Sequence, residues 1–324
     1  MTLPTTARLM LGASLAALTP MLASAQDFPT KPVRFIVGFP PGGATDLVAR
    51  IIQPKMSAAL GKQVVVENRA GANGVIGTDL IARADPDGHT IGMVHIGSMV
   101  ISPAIQKVPY DVNKDFAPLT QLVSLQNIIV VNPTLAAKNL KEYLALARSR
   151  PGDMLYGTSG TGSPGHLAGV LMEEMTGVRL THVPYKGGGP LITDIIAGHV
   201  PSSFSVISTA LPHVRSNRIR AIAVTGAKRA EGATDIPTVA ESGVKGYAAT
   251  NWYGMVAPAA TPAPVLERLN REIVAALKSP EVVQQLKERG IETAPSTPSE
   301  FAQFMQAERK KWLPVIRKAN IKPQ

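Results

Sequence analysis

The chain of 324 residues contains no cysteine. Disulfides, thiolate metal sites and a lipid-modified N-terminal cysteine are therefore excluded, and a chain this long can bury enough core to fold without covalent staples. Aromatic residues supply only 5% of the sequence, too little for the stacking platforms that hold single-stranded nucleic acid. Acidic residues are outnumbered by basic ones, 23 to 33, for a formal net charge of +10. The densest basic run, Arg309-Lys310-Lys311 beside Trp312, falls in a helical pattern, where a solvated face accounts for it. Nucleic acid is not an expected partner; a small anionic solute makes better use of the charge. The six histidines show no paired ligand spacing, so no metal site and no cofactor are expected.

Long apolar runs are also missing. Leu9 to Leu18 is too short to span a bilayer, which takes about 20 residues. It follows Arg8 and precedes Thr19-Pro20 and Ala23-Ser24-Ala25, the order of a secretory leader with a small-residue cleavage site. Residues 1–25 are thus read as a signal peptide, and the mature chain as extracytoplasmic. The remaining ~300 residues suggest two domains.

Beyond the leader, short β-rich runs alternate with helical periods, the pattern of an α/β fold with largely parallel sheets. Val33 to Val37, Gln63 to Glu67, Thr90 to Val94, Ile128 to Val131, Met154 to Tyr156, Ile219 to Val224 and Trp252 to Val256 read as strands. Asp46 to Leu60, Gly77 to Arg83, Leu140 to Arg148, His166 to Thr176 and Leu191 to Ala197 read as helices, and three more close the chain. Two of these start at Ser279-Pro280-Glu281 and at Thr297-Pro298-Ser299-Glu300, the second with a capping box.

Two strand–turn–helix units carry the chemistry. In the first, Gly38-Phe39-Pro40-Pro41-Gly42-Gly43-Ala44-Thr45-Asp46 precedes a helix whose free N–H groups suit an anion. Ala44 stands where a phosphate-binding P-loop needs lysine, so nucleoside triphosphates are set aside. In the second, Gly157 to His166 contains Gly160-x-Gly162-x-x-Gly165, formally a dinucleotide fingerprint. No acidic residue ends the next strand to hold a ribose. The nucleophile elbow fails at Gly157-Thr158-Ser159-Gly160-Thr161, because its fifth position is threonine. What remains is a cluster of hydroxyls and backbone donors at a helix start, with His166 as the histidine placed nearest a ligand.

A set of motifs in fixed order runs through the chain. Phe28-Pro29-x-Lys31-Pro32 and Gly38-Phe39-Pro40-Pro41-Gly42-Gly43-x-x-Asp46 are followed by Val66-Glu67-Asn68-Arg69-x-Gly71-Ala72-x-Gly74 and Asp85-Pro86-Asp87-Gly88-His89-Thr90. Tyr110-Asp111-x-x-x-Asp115-Phe116-x-Pro118, Gly160-x-Gly162-Ser163-x-x-His166-Leu167, His182-Val183-Pro184-Tyr185-Lys186-Gly187 and Ile236-Pro237-Thr238-Val239-x-Glu241-x-Gly243 complete it. Across the whole mature chain this resembles the substrate-binding proteins of tripartite tricarboxylate transporters, the Bug family.

The resemblance implies a two-lobed Venus flytrap, each lobe a mostly parallel sheet flanked by helices, that closes on a small di- or tricarboxylate or aromatic carboxylate. It places lobe one at 26–124 and 250–324 and lobe two at 125–249, with the hinge crossed near Gln126-Asn127 and Thr250-Asn251. Ligand contacts carry over to Phe39, Gly42, Gly43, Thr45 and Asp46 in lobe one. In lobe two they carry over to Thr158, Ser159, Thr161, Gly162, Ser163, His166, Tyr185, Lys186 and Gly187. Ser205 stands where the family commonly has aspartate, which disfavours a cationic group on the ligand. The implied partners are permease subunits in the membrane or a sensor protein, and a monomer is expected. Two competing readings stay open: an exported α/β hydrolase-like enzyme, and a ligand-sensing module without transport.

Overall fold

The computed structural model describes residues 28–318 and residue 321; the leader lies outside the described residues. The first sheet is built from β1 (Val33–Val37), β2 (Val64–Asn68) and β3 (Thr90–His95), all parallel, in the order β2-β1-β3. Helices α1 (Ala44–Leu60) and α2 (Val75–Ala82) connect them. Apart from Arg34, whose exposed side chain pairs with Glu67, β1 is apolar, because both faces are covered over Phe35 to Val37. Val33, Phe35 and Val37 pack with Val48, Ile52 and Met56 of α1, while Ile36 joins the cluster on the opposite face.

After a π-turn (Gly97–Ile101) and α3 (Ser102–Ile105), the long strand β4 (Phe116–Val131) passes from one sheet into the next. Its residues up to Gln126 pair with β9 (Thr250–Pro258), and those from Asn127 onward pair with β7 (Ser202–Val206) and β8 (Arg220–Val224). The second sheet runs β4-β7-β5-β6, with β5 (Leu155–Thr158) and β6 (Thr181–Pro184) parallel to their neighbours. Helices α4 (Leu140–Ser149), α5 (Pro164–Thr176), α6 (Gly188–Ala197) and α7 (Ile207–Arg215) flank it. Ile128 and Val130 face the α6/α7 layer, and Ile129 and Val131 face Tyr143 and Tyr156. Among the strands named here, parallel pairing is confined to the two three-strand units, because a strand that leaves one sheet and its returning partner must run in opposite directions.

At the crossing, the buried Thr225 hydroxyl accepts from Asn127 N (3.0 Å) and donates to Ala249 O (2.7 Å), tying the outgoing strand to the returning one. The chain then closes on the first sheet through α8 (Ala263–Lys278), α9 (Pro280–Lys287), β10 (Ile291–Thr293) and α10 (Pro298–Lys318). The Thr297–Glu300 capping box forms in both directions: Thr297 N donates to Glu300 Oε2 (2.8 Å) and Glu300 N to Thr297 Oγ1 (3.2 Å). Four helices start earlier than their periodicity suggests, at Ala44, Val75, Pro164 and Gly188; in the last two, the added proline and glycines carry no apolar signal. The β7–α7 unit has no counterpart in the sequence reading; its serines obscure the strand.

Helix α10 is anchored by a buried carboxylate. Trp252 Nε1 and Trp312 Nε1 both donate to Glu308 Oε2, at 3.2 and 3.1 Å. Burial raises the Glu308 pKa despite the nearby Lys311 and the two indole donors. A raised folded value means stability that is full while the group is protonated and is lost as pH rises through that value. Glu308→Gln, a neutral acceptor of the same shape, is expected to raise the melting temperature at pH 7.5 and to gain nothing at pH 4. Glu308→Ala orphans both indoles and is expected to cost about 1–3 kcal/mol, read by thermal denaturation.

Candidate functional site

The residues that follow β1, β5, β6 and β7 line the gap between the sheets, and the next element after each of these strands is a helix. The first turns of α1, α5, α6 and α7 therefore converge there, in the crevice where open α/β sheets bind ligands. Between them lies a cavity of about 90 Å³. Lobe one supplies Phe39, Pro40, Pro41, Gly43, Ala44 and Thr45 with His95, Asn251 and Tyr253; lobe two supplies Ser159, Pro164, Lys186 to Leu191, Val206 and Thr209. Among the described residues no acidic one lines it, and Lys186, itself exposed, is the one formal cation that does.

The donors at these helix starts decide what the cavity holds. In α1 the first intrahelical bond is Leu47 N to Gly43 O (2.9 Å). The N–H groups of Gly43, Ala44 and Thr45 make none among the described residues. Gly42 N is already engaged, donating to Asp46 Oδ2 at 3.0 Å. Burial opposes ionisation of Asp46, but hydrogen bonds from Arg50, Gly42 and Asn68 outweigh it and hold the pKa low. Asn68 Nδ2 also donates to Phe39 O (2.9 Å), so Asp46 braces the loop from behind while Phe39, Gly43 and Thr45 line the cavity.

The second turn is braced just as firmly. Ser163 Oγ caps α5 by accepting from His166 N (3.3 Å), and Gly162 N donates to His166 Nδ1 (3.1 Å). The His166 ring stacks on His182 with centroids 3.9 Å apart and planes 7° from parallel. His182 Nε2 in turn meets Thr158 Oγ1 at 2.7 Å. Thr158, Gly162, Ser163 and His166 thus lie beneath the turn, and Thr161 sits on it, half-buried. Ser159 lines the cavity, and its N–H has no partner among the described residues. Gly187 N is tied to Ser159 O (3.2 Å), which joins the two lobe-two turns and leaves Gly188 N and Gly189 N free at the start of α6. Tyr185 OH turns away to Asp194 Oδ2 (2.9 Å), and Ser205 is buried against Ser203 Oγ (2.7 Å). Neither lines the cavity.

Sequence reasoning passed over His95, Asn251, Tyr253, Thr209 and the start of α6. His95 was within reach, since it ends a parallel strand; Asn251 and Tyr253 belong to the returning strand and carry no local signal. His95 is buried with its Nδ1 accepting from Gly97 N (2.9 Å) and the Phe39 ring 4.9 Å away. Burial pushes its pKa down to about 4 against a small opposing effect of the Asn73 backbone, so this wall is uncharged.

The lobes also touch directly. Asn73, in a left-handed backbone conformation (φ 50°), donates from Nδ2 to Gly162 O at 2.7 Å across the gap. A Cβ on Gly162 would stand 3.0 Å from Ile101 Cγ2, so the absence of a side chain permits this approach.

A mixed sheet in each of two lobes, strands crossing between them and a donor-lined cavity at the junction define a two-lobed solute-binding protein. The comparisons give the family. A model described as "Tripartite tricarboxylate transporter family receptor" matches residues 48–321. A Pseudomonas protein encoded in the tcbD-tcbE intergenic region is 38% identical over 95% of this chain and 93% of its own length. BugT of Bordetella pertussis is 34% identical over 92% of each. An R. palustris protein solved with adipate superposes with a TM-score of 0.88 at 33% identity, covering 92% of this chain and all (100%) of that one. MatC from Rhodopseudomonas palustris with bound malate gives 0.83 at 30%, covering 89% and 100%. The chain belongs to the tripartite tricarboxylate transporter receptor family.

Two outcomes test this geometry. Burial lowers the pKa of His166 to about 4 and of His182, also facing His166, to about 3. Below the ordinary value near 6.5 the unfolded chain binds more protons, so stability present above pH 6.5 is lost as pH falls toward those values. The melting temperature is expected to drop from pH 6.5 to 5, before most carboxylates titrate, and His182→Gln to flatten that drop. A level profile across this window contradicts the buried stack. Separately, Asn73→Gly keeps the backbone conformation but removes the interlobe amide. Small-angle scattering without ligand is expected to show a larger radius of gyration for this variant than for wild type.

Proposed function

We propose that the protein is an extracytoplasmic receptor that captures a small carboxylate between its lobes and delivers it to membrane permease subunits of a tripartite transporter, without catalysing a reaction. The carrying observation is that free backbone donors of α1 and of α6 border one cavity that contains no acidic side chain. An anion placed there meets partial positive charge from both lobes. The adipate and malate in two of the related structures support a carboxylate, and the leader-like residues 1–25 support export. We assign the lobes as 26–124 with 250–324, and 125–249. The change of partner in β4 between Gln126 and Asn127, and the start of β9 at Thr250, support that division. The hydrolase reading lacks support, because His166 Nδ1 accepts from Gly162 N, His182 Nε2 meets Thr158 Oγ1, and neither ring is hydrogen-bonded to the Ser159 hydroxyl.

Binding through backbone donors has a distinct signature. A thermal-shift screen of small acids on the mature protein is expected to find ligands that stabilise by about 2.7 kcal/mol at 100 times their dissociation constant. With such a ligand, calorimetry on Lys186→Ala is expected to show a loss of less than about fivefold, the scale of an exposed ion pair. Ser159→Pro removes a backbone donor and distorts the turn, and is expected to lose more than about tenfold. A larger loss for Lys186→Ala contradicts the backbone reading.

A further inference from the structure

The cavity is open on one side. Gly43, Gly188, Gly189 and Thr209 belong both to its wall and to that of a second, larger interlobe groove of about 820 Å³. At about 90 Å³ the cavity falls well below the size of sites that bury whole small molecules. The groove falls in the ~300–1,000 Å³ range of sites that bury whole small molecules. It persists although the lobes already touch at Asn73 and Gly162.

Three of the four shared residues are glycines, so the passage between the two spaces is walled mostly by backbone. A Cβ at Gly189 would meet nothing within 4 Å, and one at Gly43 only Pro40 O at 3.6 Å. Beyond it, the groove is walled by Leu47 and Ile51 of α1 and by Ile192 and Ile196 of α6. From Gly43 to Ile51 and from Gly189 to Ile196, the helical rise gives a length of about 10–12 Å. Charge reappears at the rim. There Arg50 is neutralised by Asp46 and Lys55 by Glu281, but Arg218 and Arg289 have no carboxylate partner among the described residues.

We propose that the groove is a second part of the ligand site, which takes the body of an elongated organic acid. The carboxylate head sits at the helix starts, a flexible apolar chain passes between the glycines and lies on Leu47, Ile51, Ile192 and Ile196, and a second anionic end reaches the rim arginines. The preferred ligands are then long α,ω-dicarboxylates rather than compact, heavily hydroxylated acids. This rests on the carboxylate reading above and adds to it a preference for length.

The test is calorimetry on the mature protein with straight-chain α,ω-dicarboxylates of three to twelve carbons. The dissociation constant is expected to fall about two- to fourfold per added methylene, as burial of a CH₂ delivers, and then to level off. Thr193 lines the groove but not the cavity and is exposed, so Thr193→Trp is expected to fold with a melting temperature close to that of wild type. Its side chain fills the groove beyond the glycines, and it is expected to abolish the length dependence while leaving three- and four-carbon acids within threefold of wild type. Ile51→Ser, which leaves the passage open, is expected to weaken only the long acids. Short acids that bind with no gain on lengthening overturn the groove site and leave the carboxylate reading standing. No binding at any length overturns both. An equal loss at all lengths in Thr193→Trp also overturns the extension, because the substitution would then act on the head site.

Discussion

The first turns of an α-helix leave backbone N–H groups that the helix itself cannot satisfy, and here the starts of four helices are gathered around one space. Buried polar groups left unpaired cost free energy, so these donors require water or an acceptor from outside the chain. The surrounding structure keeps them available. Asp46 occupies Gly42 N, Arg50 and Asn68, and the stacked His166 and His182 hold the second turn from below. In each case a side chain that resembles a ligand contact is spent on fixing the loop, and the backbone at Gly43, Thr45, Ser159 and Gly188 is left to face the cavity. Recognition of this kind depends on shape and preorganised dipoles, and a neutral His95 and an exposed Lys186 change it little.

Two lobes are needed because neither set of donors encloses an anion alone. The β4–β9 pair joins the sheets through continuous backbone, with Thr225 bridging the outgoing and returning strands. On another side of the gap, Asn73 reaches Gly162. That single neutral hydrogen bond is worth on the order of 1 kcal/mol, enough to bias a domain equilibrium and too little to lock it. A ligand with contacts on both lobes would supply the remaining preference, since only differential affinity shifts such a balance.

Much of the scaffold is readable from residues alone, for physical reasons. The apolar run Phe35 to Val37 and the 3.6-residue period from Leu47 to Leu60 report burial directly, and Thr297 with Glu300 forms the reciprocal cap that its spacing implies. The Phe39–Asp46 turn announces itself through glycines before a helix. Residue roles within the turns are less legible: Thr158, Ser163 and His166 have the chemistry of ligand contacts, and their bonds go inward. Whether a hydroxyl faces a ligand or its own loop depends on backbone direction, which composition does not encode. The β7–α7 unit and the cavity residues Asn251 and Tyr253 escaped for related reasons. Ser202, Ser203 and Ser205 mask a buried strand, and pairing between β4 and β9 is a long-range event.

The central claim is that one anionic group is held at once by backbone donors of both lobes. A crystal structure of the mature protein with a bound acid tests it most directly. The account predicts carboxylate oxygens within hydrogen-bond distance of the N–H groups at the start of α1, around Thr45, and at the start of α6, around Gly188. An acid that touches one lobe only, or is held by the Lys186 side chain without backbone contacts, would contradict it.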